Sequence, residues 1–480
     1  MQKPRRWALV LAAGKSTRFN SSRPKVLHNL CGKPMIEHVL DRLEALELDK
    51  ILVVTGHDSD RIREALSSRS LEFIRQEPQL GTGHAVMTAQ PQLAGIEGSL
   101  LVVYADTPLI TSETLHELLE TQSREAADQV LLTCHQEEPG GYGRILRTAD
   151  GAISRIVEER DADAQQRLIK EVNPGFYCFH IPSLREGLRK LDSGNVQGEY
   201  YLTDLVQIFR DSGKKVVGVT SLNPGETLGI NDRFALSEAE TEMRSEILRR
   251  HMLSGVTIRR PESVTIDGNV VIGPDSEIYP GAILEGKTRI GRGCRIGPWT
   301  QLKNAELGNS VQIESSCVIR DSRIGDNTTV GPFAHLRQGV EVGHSARIGN
   351  FVEIKKSTLG DEAKSAHLTY LGDAEIGDRV NIGAGVITCN YDGWRKRKTI
   401  IEADAFIGSD SQLLAPVRVG KGAYIASGST ITEDVPAEAL AIARSRQKNK
   451  EGWARKRKEA EKKKPKSSQP VKTEARKPES

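Results

Sequence analysis

Residues 271–302 read VIGPDSEIYPGAILEGKTRIGRGCRIGPWTQL, with an aliphatic side chain at every sixth place. Ile272, Ile278, Leu284, Ile290, Ile296 and Leu302 keep that beat, and Ile266 begins it one step earlier. After an interruption it resumes at Ile324, Val330, Leu336, Val342, Ile348 and Ile354, and again at Ile407, Leu413, Val419, Ile425 and Ile431. Glycine often follows at once, as at Gly273, Gly291, Gly325 and Gly408. Neither a helix nor an alternating strand makes a step of six. A solenoid of hexapeptides does, each unit giving one short strand and one corner, with the aliphatic residue inward. Glycine, asparagine and aspartate suit the tight turns.

The beat slackens after Ile354, across KKSTLGDEAKSAHLTYLGDAEIG (355–377), where charged and aromatic residues replace small ones. His367 is the natural candidate there for a general base, because imidazole titrates in the range needed to take a proton from an amine. A plain surface histidine is the competing reading. A second break, Ile387 to Asp404, carries YDGWRKRK (391–398) and is expected to project as a loop.

Working back toward the N-terminus, 231–253 has a helical pattern, with Phe234, Leu236, Met243, Ile247 and Leu248 apolar between charges. It reads as an amphipathic helix joining two bodies. Before it, to about Thr220, short apolar runs alternate with helix-like stretches. Strands are expected at Ala8–Leu11, Ile51–Thr55, Leu100–Tyr104, Gln129–Thr133 and Phe176–Phe179, with helices over Met35–Leu46 and Arg61–Ser67. Such alternation predicts an α/β domain with a mostly parallel sheet. Ligands of these sheets sit beyond the carboxyl ends of the strands, where Gly14, Thr55 and Asp106 would meet in one crevice.

The first of those loops, LVLAAGKSTR (9–18), imitates an ATP-binding P-loop. That motif needs a glycine five places before Gly14, where this chain has Leu9, so the wrap around phosphates is missing. What remains is a strand opening into a small-residue turn and a basic segment to Lys25. Exposed backbone N–H groups with Arg18 and Lys25 would suit a phosphate chain; an ordinary strand-to-loop turn is the alternative. Asp106, closing the strand of VVYADTPLI (102–110), is placed to hold Mg²⁺, or else to cap a turn.

The chain has 480 residues, enough for several cores. Its 67 lysines and arginines nearly balance 64 acidic residues, so no global field calls for nucleic acid or a membrane. Six cysteines without CxxC spacing read as reduced thiols in a cytoplasmic protein. No signal-peptide pattern or bilayer-length apolar segment occurs. The lysine-rich end from Arg446 reads as a solvated, largely disordered tail, with order to about Trp453.

Hexapeptide solenoids resemble the left-handed parallel β-helix family, triangular prisms that usually form trimers and are often acyltransferases. The N-terminal motifs resemble sugar-1-phosphate nucleotidyltransferases. QLGTGHAV (79–86), GYGRI (141–145), IVEERDA (156–162), EVNPGFY (171–177), GEYYLTD (198–204) and GINDR (229–233) narrow the likeness, as do HLTYLGDAEIGD (367–378) and NIGAGVITCNYDG (381–393). Together they resemble the bacterial bifunctional N-acetylglucosamine-1-phosphate uridyltransferase/glucosamine-1-phosphate acetyltransferase family over about residues 5–455.

The resemblance implies that Leu11, Ala12, Ala13, Gly14, Arg18, Lys25 and Tyr104 face UTP, with Gln76, Gly81 and Thr82 reading uracil. Gly143, Glu158 and Asn173 would hold N-acetylglucosamine, and Asp106 with Asn231 would hold Mg²⁺. In the solenoid His367 becomes the general base. Arg337, Lys355, Tyr370 and Asn381 would bind glucosamine 1-phosphate. Acetyl-CoA would meet Ala384, Asn390, Tyr391, Ser409, Ser427 and Arg444. Ser16, Ala105 and Ser427 depart from the usual residues, and the first two matter if positive φ is required there. The implied divisions are 1–230 (uridyltransferase), 231–253 (linker helix), 254–445 (acetyltransferase β-helix) and 446–480 (basic tail), assembled as a homotrimer. A single-activity nucleotidyltransferase with an oligomerising prism is the alternative.

Overall fold

The computed structural model describes residues 4–14 and 17–463. The strand Arg5–Ala12 lies between Lys50–Thr55 and Gly98–Tyr104, parallel to both, and Glu72–Arg75 extends the parallel set. Its side chains alternate between two cores. Trp7, Leu9 and Leu11 pack on one face of the sheet with Val86, Leu184 and Phe209. Ala8, Val10 and Ala12 pack on the other with Val39, Leu40, Leu115 and Leu118. Both faces being covered explains the unbroken apolar runs, since no position on a central strand faces water.

The sheet is not mostly parallel, however. Tyr177–His180 inserts antiparallel between Gly98–Tyr104 and Gln129–His135, and Glu171–Asn173, Gly143–Arg147 and Ile153–Val157 continue antiparallel beyond it. Only Val216–Thr220 rejoins in parallel, on Gln129–His135. Tyr177–His180 pairs with strands far from it in the chain, so the local alternation of helix and strand carries no sign of its direction.

The helix Arg233–Leu253 begins after Asp232, whose side chain accepts from Ala235 N. It buries Ala239, Ile247, Leu248 and His251. Phe234, expected on the packed face, is instead 74% exposed. At its start the helix meets the hairpin Asn29–Leu30/Lys33–Pro34; Cys31 Sγ donates to Glu240 O, and Gly268 N to Cys31 O at 3.0 Å.

Beyond it the chain forms a parallel β-helix with three strand ladders. One runs Thr257–Ile258, Glu277–Ile278, Arg295–Ile296, Gln312–Ile313 and Thr329–Val330. A second runs Thr265–Ile266, Ile283–Glu285, Gln301–Lys303, Val318–Arg320 and His335–Arg337. The third passes through Ile272, Ile290, Leu307, Ile324, Val342, Leu359 and Ile376. The expected inward residues from Ile266 to Ile431 are all buried.

The interruption after Leu302 is no break in the prism. Leu307, Ile313 and Ile319 continue the core; two corners, before Leu307 and before Ile324, are each a residue shorter, which moves the beat out of phase. The slackened stretch after Ile354 is likewise regular, with Arg347–Lys355 and Lys364–Gly372 bending round a corner as two long paired strands. Of the segment expected to loop out, Ile387–Cys389 and Thr399–Ile401 are prism strands, and only 390–398 projects. The C-terminal helix Trp453–Lys463 is exposed and carries order further than expected.

Candidate active sites

The carboxyl ends of the parallel strands enclose a cavity of about 720 Å³. Leu11, Ala12, Ala13, Gly14, Lys25, Gln76, Gly81, Thr82, Tyr104 and Asp106 line it, ten of the expected residues from five separate segments. Thr55 does not: its hydroxyl is turned inward to Ser59 Oγ at 2.8 Å, and the next residue, Gly56, takes the lining position. A Cβ on Gly56 would stand 2.8 Å from Ala13 O, so only glycine lets these two loops touch. Gln79, which donates to Ala13 O, and Glu199 also line the cavity. Gln79 and Glu199 fall inside QLGTGHAV and GEYYLTD but were given no role there, and Gly56 was missed because loop-to-loop packing leaves no local pattern.

Asp106 and Asn231 meet at one cation. Lys25 Nζ contacts Asp106 Oδ2 and donates to Asn231 Oδ1 at 3.3 Å, and Arg18 donates to the same Asn231 oxygen at 3.0 Å. Two hard oxygens converging on a positive charge are a donor set suited to a small divalent ion. Ala105 is buried and does not adopt positive φ, so alanine fits without strain. Ser16 lies outside the described residues.

Tyr104 joins this cavity to the expected sugar end. Burial raises its pKa, with further contributions from Glu158 and Asp106. Gly175 approaches so closely that a Cβ there would lie 2.4 Å from the Tyr104 ring. Asn173 donates to Tyr177 Oη at 2.7 Å and accepts from Gly175 N at 3.2 Å. Glu158 accepts from Thr203 at 2.8 Å, and burial raises its pKa against the lowering by that bond. A Cβ on Gly143 would meet Ile156 at 2.8 Å and Glu158 Oε2 at 3.6 Å, so a bare backbone sits beside the carboxylate.

The prism brings its expected residues together differently. Asn350 pairs with His367 in register, and His367 Nδ1 bonds Asn350 Oδ1 at 2.8 Å. An amide oxygen only accepts, so Nδ1 carries the proton and Nε2 keeps a lone pair. One coil further, Gly385 N donates to Leu368 O, setting Ala384 beside His367. Asp410 N donates to Ala384 O and Gly428 N to Ser409 O, which stacks Ala384, Ser409 and Ser427 in successive coils. A Cβ on Gly428 would lie 3.6 Å from Arg444 Cδ. The column therefore runs Asn350, His367, Ala384, Ser409, Ser427, Arg444 along one edge.

Arg337 and Lys355 are register partners on the neighbouring face, as are Glu353 and Tyr370. Arg337 is paired with Glu353 at 2.6 Å, while Lys396 from the projecting loop lowers the pKa of Lys355. Lysines crowded in this way are relieved by an anion between them. Asn381 lies on the adjoining strand, in register with Lys364. Asn390 is buried and donates to Asp373, whereas Tyr391 and Trp394 stand out on the loop, exposed. Asn350 and Lys396 went unrecognised in the sequence; a step of one coil back from His367 leads to the first. A second concavity of about 710 Å³ lies along the third face and holds none of the expected residues. Its rungs neutralise one another, as in Arg323–Glu306 at 3.0 Å.

Comparison with known proteins follows the same division. Residues 8–195 match the MobA-like NTP transferase domain, 266–358 the GMPPB C-terminal domain and 398–433 the bacterial transferase hexapeptide repeats. Over 449 residues, 94% of this chain and 97% of the relative, the chain is 49% identical to the bifunctional protein GlmU of Geobacillus sp. (strain WCH70). It is 47% identical over 451 residues to that of Halalkalibacterium halodurans, covering 94% and 99%. The GlmU of Exiguobacterium sp. (strain ATCC BAA-1283 / AT1b) is 49% identical over 451 residues, covering 94% and 100%. The chain belongs to the bifunctional GlmU family. It is accordingly a two-activity enzyme, a nucleotidyltransferase followed by a hexapeptide acetyltransferase whose repeats accord with left-handed winding. Among the described residues no helix is long and apolar enough to cross a membrane.

Proposed function

We propose that the prism edge acetylates glucosamine 1-phosphate and that the crevice then joins the product to UTP, giving UDP-N-acetylglucosamine and pyrophosphate. The observation that carries this reading is the edge column, because a scaffold has no use for a histidine oriented by Asn350 on the edge and a crowded lysine on the adjoining face. His367 Nε2 takes a proton from the substrate ammonium; the freed amine attacks the acetyl carbonyl, the C–S bond of acetyl-CoA breaks, and CoA leaves as the thiolate, which takes up the second proton shed by the nitrogen. Arg337 and Lys355, with Tyr370 and Asn381, hold the sugar phosphate, the forked and the point cation gripping different oxygens. Ala384, Ser409, Ser427 and Arg444 run beside the cofactor, with Asn390 and Tyr391 at its reacting end.

In the crevice the sugar phosphate oxygen attacks the α-phosphorus of UTP and pyrophosphate departs. Both reactants are anions, so positioning and charge neutralisation supply most of the rate. Gln76, Gly81 and Thr82 face uracil; Gly143, Glu158 and Asn173 face N-acetylglucosamine; Arg18 and Lys25 face phosphates. Asp106 and Asn231 would hold Mg²⁺, which when bound neutralises phosphate charge. Transfer of uridylyl belongs to 1–230 and of acetyl to 254–445, with 231–253 between them and 446–480 as a tail. The exposed edge and the projecting loop 390–398 support a homotrimer, each loop reaching a neighbouring prism, and the six free cysteines accord with the cytoplasm.

Mass spectrometry tests this. Protein with Mg²⁺, UTP, acetyl-CoA and glucosamine 1-phosphate should yield UDP-N-acetylglucosamine, and His367→Ala should yield it only when N-acetylglucosamine 1-phosphate is supplied. Absence of product in both mixtures would overturn the crevice assignment.

A further inference from the structure

One residue lining the crevice is bonded by a side chain that does not line it. Gln76 follows the strand Glu72–Arg75, is 4% exposed and lines the cavity. Its Nε2 donates to Gly81 O at 3.0 Å and to His84 Nδ1 at 3.1 Å. A backbone carbonyl only accepts, so the amide nitrogen is fixed on that side and Oε1 is turned away from it. Among the described residues nothing donates to Oε1.

His84 sits in the helix Thr82–Met87, its ring 6.3 Å from that of Tyr200, and is absent from the cavity lining. Tyr200 is held by its own backbone, donating to Leu80 O and accepting from Gly83 N, each at 2.8 Å. Burial lowers the His84 pKa, which favours the neutral ring with a lone pair on Nδ1. An amide NH₂ has two hydrogens, and Gly81 and His84 take one each.

We propose that His84 is a positioning residue for base selection: by accepting from Gln76 it keeps Oε1 toward the base, where it receives the N3–H of uracil and repels the N3 lone pair of cytosine. This rests on the crevice being the uridylyl site. Removing the His84 acceptor leaves one amide hydrogen unheld, and the amide can turn its nitrogen toward a cytosine.

The test is kcat/KM for UTP and for CTP with N-acetylglucosamine 1-phosphate, in wild type, His84→Leu and His84→Asn. The leucine variant should lower the UTP/CTP ratio about tenfold, chiefly through a higher KM for UTP with kcat little changed. Asparagine, whose Oδ1 can take the place of Nδ1, should recover most of that ratio, and acetyl transfer should be unchanged in both. A leucine variant with the wild-type ratio overturns the proposal, as does a lowered ratio that asparagine fails to restore. Should the leucine variant not fold, His84→Ala removes the same acceptor without added bulk and is read the same way. If wild-type protein makes no nucleotide sugar from UTP, the crevice reading fails first; an active wild type with an insensitive ratio sinks only this inference.

Discussion

The crevice and the prism edge build their sites by opposite means. Lys25, Asp106 and Asn231 reach one point from positions separated by most of the first domain, and the loops bearing them close round a cavity. Asn350, His367, Ala384, Ser409, Ser427 and Arg444 come from successive coils at the same rung position, and His367 remains exposed. A convergent site is enclosed by its own chain and depends on each loop. A repetitive site is aligned by backbone register alone, yet a convex edge cannot exclude water from a reaction. Such an edge needs a second surface, which is what the proposed neighbouring prism would supply.

If the two sites are this independent, single substitutions should separate them almost completely. Asp106→Ala removes a charged oxygen from the cation point, and pyrophosphate release should fall on the order of a thousandfold. Thiol release from acetyl-CoA should be unaffected. His367→Ala should do the converse, lowering acetyl transfer on the order of a hundredfold to ten-thousandfold. A variant that lost both activities while keeping its melting temperature would break the comparison.

Asn350→Ala sharpens it on the prism side. Without the amide oxygen, His367 can carry its proton on either nitrogen, and the ring loses its fixed direction. Acetyl transfer should drop about tenfold, the effect of one orienting hydrogen bond, with uridylyl transfer unchanged. An unaltered acetylation rate would mean that register alone orients the base.

These pairs also show what could be read from residue order. The inward beat was legible because a prism interior takes mostly aliphatic side chains at the facing positions, and Ile272 or Leu413 announces that from its neighbours alone; the buried Ser365 and Thr388, in register with Ile348 and Leu413, hide it where it slackens. The phase was lost where corners dropped one residue, at Leu307 and at Ile324, although the packing is the same. Asn350 was legible in principle, one coil before His367. Gly56 was not, since nothing near it signals that Ala13 O lies against it. The mixed sheet was hidden for a related reason: pairing direction is fixed by distant strands, and an apolar run such as Phe176–Phe179 reads the same in either direction.

The smallest expected effect distinguishes the regions by stability. Asp204 follows Thr203, which bonds Glu158, and its pKa is raised from 3.8 to about 6 by burial first, then by Asp192 and Asp161. A raised carboxyl binds its proton more tightly in the folded chain. Its stabilising contribution is therefore complete below about pH 4 and is lost as the pH rises through about 6. Above that range the first domain carries a half-buried charge beside like charges; solvent screening reduces the penalty to about 1 kcal/mol. Asp204→Asn removes it. Denaturant melts of the variant and wild type should coincide most closely near pH 4 and diverge by pH 7, with the variant the more stable. The exposed prism acids Glu277, Glu402 and Asp404 are shifted the opposite way by their arginines. Their stabilising contribution is complete above the ordinary values of 3.8 to 4.5, so the prism should have gained its share by the pH at which the crevice begins to lose its own. A variant–wild-type difference that stays constant with pH would show that Asp204 ionises as freely in the folded chain as in the unfolded one.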